Sequence, residues 1–155
     1  MNNVRAEFKT VNFRKHIISE ATATRTLKDT ETGSTCLFDR AAGVVYTLPA
    51  ACPIGTEFEF VTTVTITSNA AKVITGAATE LLVGGIVNSD TDTSNATLQW
   101  PALVGSSYIA VSMNGSTTGG IIGDRIKFTK VTTTKWSVVG NTMGTGTVAT
   151  PFSAT

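Results

Sequence analysis

Gly55-Thr56-Glu57-Phe58-Glu59-Phe60-Val61 alternates apolar and acidic side chains after its opening glycine. Successive side chains on a strand point to opposite faces, so this run places Phe58 and Phe60 on one face and Glu57 and Glu59 on the other. The stretch reads as a strand with its phenylalanines toward a core and its glutamates toward water.

Working outward, the neighbouring sequence has the same texture. Residues 35–39 and 44–48 flank Arg40-Ala41-Ala42-Gly43, and Pro49 ends the second run because it cannot donate to a ladder; the pair reads as a hairpin. Residues 64–67 and 72–75 around 68–71 read as a second hairpin, and Gly84-Gly85, between residues 81–83 and 86–88, as a bulge or sharp bend. A polar loop at 89–95 follows. Further strands are expected at 97–100, 108–113, 124–131 and 136–140, with turns at 114–120 and 132–134. Short strands recurring every 8–12 residues or so are the mark of a sandwich or barrel, and the expected body is an all-β, jelly-roll-like β-sandwich or barrel over residues 33–140.

Composition supports this class. The chain has 155 residues and 16.2 kDa, room for one domain with appendages. Only 15% of residues are charged, and 29 Thr and 14 Gly stand where a helical bundle would carry Glu, Lys and Arg. Hydrophobic content of 41% is too high for wholesale disorder. The longest apolar run, residues 81–87, contains two glycines and falls short of the roughly 18 residues that a membrane span needs, so no membrane partner is expected. Residues 1–20 carry Arg5, Glu7, Lys9, Arg14, Lys15 and Glu20 and lack the apolar core of a secretory signal, which favours a cytoplasmic origin and free thiols at Cys36 and Cys52.

The net charge of +1 is unevenly spread, with 12 of the 23 charges in the first forty residues. Residues 1–32 read as an extended N-terminal arm and linker, the alternative being a first strand of the body's own sheet. Residues 141–155 read as an extended C-terminal tail docked by Phe152.

Catalytic, cofactor and metal signatures are weak, and none is assigned. The lone histidine, His16, has no nucleophile motif beside it, and Cys36 and Cys52 lack zinc-site spacing. Glu57 and Glu59 share a strand face at a separation suited to a glycosidase pair, but nothing nearby separates their pKa values. Asp90-x-Asp92-x-Ser94 starts like a calcium loop without its glycine and distal Glu. Gly144-x-Gly146-x-x-Ala149 has no helix to follow it, since Pro151 comes next. Arg125, Lys127, Lys130 and Lys135 form a basic cluster without interleaved aromatics, so nucleic acid is not an expected partner. The sequons at Asn95 and Asn114 are sequons by letter only.

One succession of residues resembles a known group. It runs Gly33-Ser34-Thr35-Cys36-Leu37-Phe38-Asp39, residues 42–50, the Gly55 to Phe60 strand, residues 67–69, Ser112-Met113-Asn114-Gly115, residues 119–124, Trp136 and residues 144–152. In order and spacing it is similar to the capsid decoration (cement) proteins of tailed bacteriophages, particularly of phages infecting aquatic bacteria. Residues 48–60 alone also resemble phage fibre and tailspike domains. The resemblance implies a β-sandwich body without enzymatic activity, a homotrimer, the major capsid protein as partner, and a place on the outer capsid surface of a virion assembled in the host cytoplasm. Arg5, Phe8, Val11, Phe13 and Arg14 are then the expected capsid-binding residues, apolar anchors with flanking cations. The alternative is a receptor-binding or fibre-tip domain in which Trp100 and Tyr108 stack on host glycans.

Overall fold

The alternating run forms β5 (Glu57–Thr62), with Phe58 0% and Phe60 1% exposed. The structure is a computed structural model that describes residues 14–93, 96–103 and 105–155. Before β5 come β1 (Ile17–Ile18), β2 (Thr24–Thr26), a single 3-10 turn (Asp29–Glu31), β3 (Thr35–Phe38) and β4 (Val45–Thr47). After it come β6 (Ala71–Ile74), β7 (Leu81–Asp90), β8 (Leu98–Ala102), β9 (Ala110–Met113), β10 (Arg125–Thr132), β11 (Lys135–Gly144) and β12 (Phe152–Ser153). They make a seven-stranded sheet, β1-β3-β5-β10-β11-β7-β8, and a five-stranded sheet, β12-β9-β6-β4-β2. The all-β sandwich is therefore present.

Its connectivity differs from an antiparallel jelly roll, because five of the ten ladders are parallel. The first six strands visit the two sheets alternately, so β1-β2, β3-β4 and β5-β6 stack as three coils with β1, β3 and β5 parallel in one sheet and β2, β4 and β6 parallel in the other.

This arrangement corrects the first expected hairpin. A turn does close at Gly43, whose N–H bonds to the Arg40 carbonyl at 2.9 Å, but β3 and β4 lie in opposite sheets. Both strands carry a large ring inward. The Tyr46 ring lies 5.6 Å from Phe38 and 5.4 Å from Phe60, edge on to both, and its hydroxyl donates to the Leu37 carbonyl at 2.9 Å. A two-stranded hairpin cannot bury these rings against one another from both sides; two facing sheets can. The second hairpin is also absent, since residues 64–67 form no strand and Ile66 instead plugs the core at 2% exposure. Nor does Gly84-Gly85 break the strand: β7 runs unbroken from Leu81 to Asp90 in parallel register with Lys135 to Gly144.

At the ends, residues 14–32, expected in the arm and linker, are woven into both sheets through β1 and β2, with Ile18 and Leu27 buried in the core. Arg25 aligns with Tyr46 on the inner side of β2, where Glu20 and Glu31 hold its guanidinium at 3.0 and 2.6 Å. An inward charge on an edge strand discourages further pairing there. Residues 141–144, expected in the tail, complete β11, while Phe152 docks β12 onto β9 and is buried. Cys36 and Cys52 are buried free thiols, and burial pushes Cys36 up to about 12.

Candidate functional site

The strand face that bears Glu57 and Glu59 is the outer face of the seven-stranded sheet. Antiparallel pairing with β10 sets Glu59 opposite Lys127 and Glu57 opposite Thr129. The long side chains then pair diagonally, Glu57 with Lys127 at 2.6 Å and Glu59 with Arg125 at 2.9 Å. Lys15 also donates to Glu59 at 2.6 Å, and Thr35 Oγ1 at 3.2 Å. The Lys15 hydrogen bond, with help from Arg125 and Thr35, holds the Glu59 carboxyl below the usual carboxylate range. A general acid needs the opposite shift, so this acid pair has the electrostatics of a surface ion network rather than of a glycosidase site.

The same network fixes the start of the described chain. Lys15 is tied to Glu59, the His16 carbonyl accepts from Thr35 N–H at 2.9 Å, and His16 Nδ1 lies 3.1 Å from Ser34 Oγ. Ser34 Oγ donates onward to the Glu31 carbonyl at 2.5 Å, so its proton is directed away from the imidazole, and the residue is buried. This Ser-His pair lacks the geometry of a nucleophile and its base. Of the expected capsid-binding residues, Arg14 is exposed beside this root, while Arg5, Phe8, Val11 and Phe13 lie outside the described residues.

Trp100 and Tyr108 are both half-buried and pack against the core cluster. Tyr108 stacks on Phe152, centroids 5.6 Å apart and planes 26° apart, and the Trp100 indole N–H is buried. Rings engaged in this way offer little free face to a sugar.

Two buried polar clusters escaped the sequence reading. Lys130 and Glu80 form an ion pair at 2.6 Å, their side chains 0% and 5% exposed. Glu80 also accepts from Trp136 Nε1 at 2.9 Å and from Ala51 N–H at 3.2 Å, and the Lys130 ammonium lies 5.1 Å from the centre of the Trp136 ring. Burial works to raise the Glu80 carboxyl, but these donors prevail and hold it below the usual range. The signal for Lys130 was its parity, because it stands in phase with the core residues Ile126 and Phe128.

The second cluster is Asp124, 2% exposed, which accepts from the backbone N–H groups of Gly120 (2.7 Å), Ile121 (3.1 Å) and Met143 (2.9 Å). Burial pushes its carboxyl up to about 6 against the pull of those three donors. The folded chain thus holds a proton that the unfolded chain releases near pH 4, so this stabilisation is complete below about pH 4 and is lost as pH rises through 6. A rise of about two units corresponds to roughly 3 kcal/mol. Denaturation midpoints should therefore fall between about pH 4.5 and 7, and Asp124→Asn should flatten that slope: its amide would face a backbone N–H and cost about 1–3 kcal/mol near pH 4.5, a cost that shrinks or vanishes by pH 7, where the wild type has lost its own stabilisation. An unchanged slope in the variant would remove Asp124 as its source.

Among the described residues no group of three or more His, Cys, Asp or Glu is placed to hold a metal ion. In the loop that starts like a calcium site, Asp92 accepts from Thr145 Oγ1 at 2.9 Å and Gly146 N–H at 2.6 Å, joining the end of β7 to the segment after β11. Fold and clusters together define a two-sheet β-sandwich whose most prominent carboxylates are held by cations or backbone donors. No family model matches the chain, and no curated protein matches it either.

Proposed function

We propose that the chain is a non-enzymatic structural protein of a virion, a decoration or cement protein that binds the major capsid protein on the outside of a tailed-phage shell and stabilises it. The observation that carries this reading is the fixed root at Lys15 and His16, which attaches residues 1–13 to a rigid sandwich at one edge of the seven-stranded sheet. Arg5, Phe8, Val11, Phe13 and Arg14 provide apolar anchors and cations for the shell. Many such modest contacts made at once add up through avidity. The engagement of Glu57, Glu59 and Glu80 by cations supports a structural role over a hydrolytic one.

The test is a truncation that spares the body. Removing residues 1–25 would delete β1 and most of β2, so the informative variant lacks residues 2–13. It should keep its far-UV spectrum and thermal midpoint and lose co-sedimentation with undecorated capsids. Full binding by the truncated chain would overturn the assignment of these residues.

A further inference from the structure

A cleft of about 290 Å³ opens between the 3-10 turn and the loop that enters β5. Asp29, Thr30 and Thr32 line one wall, and Pro53, Ile54 and Gly55 the other. Both walls are tied to the sheet. Thr32 Oγ1 accepts from Glu57 N–H at 3.0 Å and Gly33 N–H donates to the Glu57 carbonyl at 2.8 Å, while Gly55 N–H donates to the Lys130 carbonyl at 2.8 Å. The shape is therefore set in advance, which spares a ligand the cost of ordering it.

The two walls differ in chemistry. Ile54 is 63% exposed and continues the aliphatic surface of Pro53. Across from it, Asp29 Oδ1 accepts from Thr30 N–H at 2.8 Å, which fixes the carboxylate. Among the described residues no basic side chain forms an ion pair with Asp29, whereas the nearby acids are taken, Glu31 by Arg25 at 2.6 Å and Glu57 by Lys127 at 2.6 Å. A single carboxylate is too few ligands for a metal ion, and no aromatic ring lines the cleft to stack on a sugar. An aliphatic stem that ends in a cation satisfies both walls at once. We propose that the cleft receives an arginine or lysine side chain of a partner protein, its stem against Pro53 and Ile54 and its cation on the Asp29 carboxylate. Charge complementarity selects this occupant, and the inference stands apart from the capsid reading because it uses none of residues 1–13.

Amide NMR spectra of the isotopically labelled full chain, titrated with Nα-acetyl-arginine amide, should show saturable shifts at Thr30, Thr32, Ile54 and Gly55. Nα-acetyl-norleucine amide keeps the stem and lacks the charge, and it should bind at least about threefold more weakly. Asp29→Asn retains an acceptor for the Thr30 N–H and should erase that preference. Ile54→Ser, at a position too exposed to disturb the fold, should weaken both probes. Deleting residues 2–13 should leave the affinity for the arginine probe unchanged; a marked gain on deletion would show that Arg5 or Lys9 of the same chain fills the cleft and would overturn the assignment to a partner. Absence of saturable shifts at the cleft, equal binding of the two probes, or an undiminished preference in Asp29→Asn would also overturn the proposal.

Discussion

Glu80→Gln is expected to lower the unfolding free energy by about 3–5 kcal/mol, the usual cost of removing one partner from a buried ion pair. The glutamine keeps one acceptor, for either the Trp136 indole N–H or the Ala51 N–H, which bond different oxygens of Glu80, so the loss combines the stranded Lys130 charge, whose side chain is wholly buried, with one N–H left facing an amide NH2. An uncompensated ammonium in that position is driven toward its neutral form. The unfolded variant then binds more protons than the folded one, and the variant's stability should rise with pH across the alkaline range. The double variant Glu80→Gln with Lys130→Met removes the stranded charge and should recover most of the loss. Urea denaturation of both variants at two pH values decides the matter. A loss that is independent of pH and is not relieved by Lys130→Met would show that Glu80 acts through its hydrogen bonds to Trp136 and Ala51 rather than through its charge.

The second large effect is expected at Gly84. Its φ is +110°, and a Cβ there would lie 2.3 Å from the carbonyl oxygen of Val138 on the neighbouring strand β11. Alanine must therefore bear an unfavourable backbone and push apart the longest parallel ladder of the sheet, at a combined cost of about 2–5 kcal/mol. Gly33 is the control. Its φ is +81°, but an added Cβ would meet nothing within 4 Å, so Gly33→Ala should cost only the backbone strain of about 1–2 kcal/mol. Urea midpoints with unchanged slopes would measure both, and equal losses at the two positions would contradict the close approach of β7 and β11.

Much of this was readable in the chain because some signals are local. The alternation in residues 57–60 told which side chains face inward, and Phe58 and Phe60 are 0% and 1% exposed. The Gly84-Gly85 pair was visible too, but its meaning was not. A glycine can serve a bulge, a turn or a close approach, and only the position of Val138 distinguishes them. The hairpin expected at residues 35–48 failed for a related reason. The turn chemistry at Arg40 to Gly43 was read correctly, yet a turn brings two strands near each other without stating whether they pair or arch across a core. Tyr46, packed edge on from the facing sheet against Phe38 and Phe60, which themselves stack at 5.7 Å, decides for the arch.

The site shows the same division. Glu57 and Glu59 were correctly placed on the solvent side, but their partners Lys15, Arg125 and Lys127 come from distant segments, and those partners settle their chemistry. Lys130 had the right parity for burial, while Glu80, fifty residues earlier in the chain, had no local signal. By itself, then, the sequence determined an all-β chain, its inward and outward faces, and a charge-rich first quarter. The tertiary structure alone decided which sheet each strand joins, the parallel stacking of the first three coils, and the absorption of residues 14–32 into the body. Side-chain parity is a property of a few consecutive residues, whereas strand pairing and the neutralisation of buried charge depend on groups that meet only when distant segments fold together.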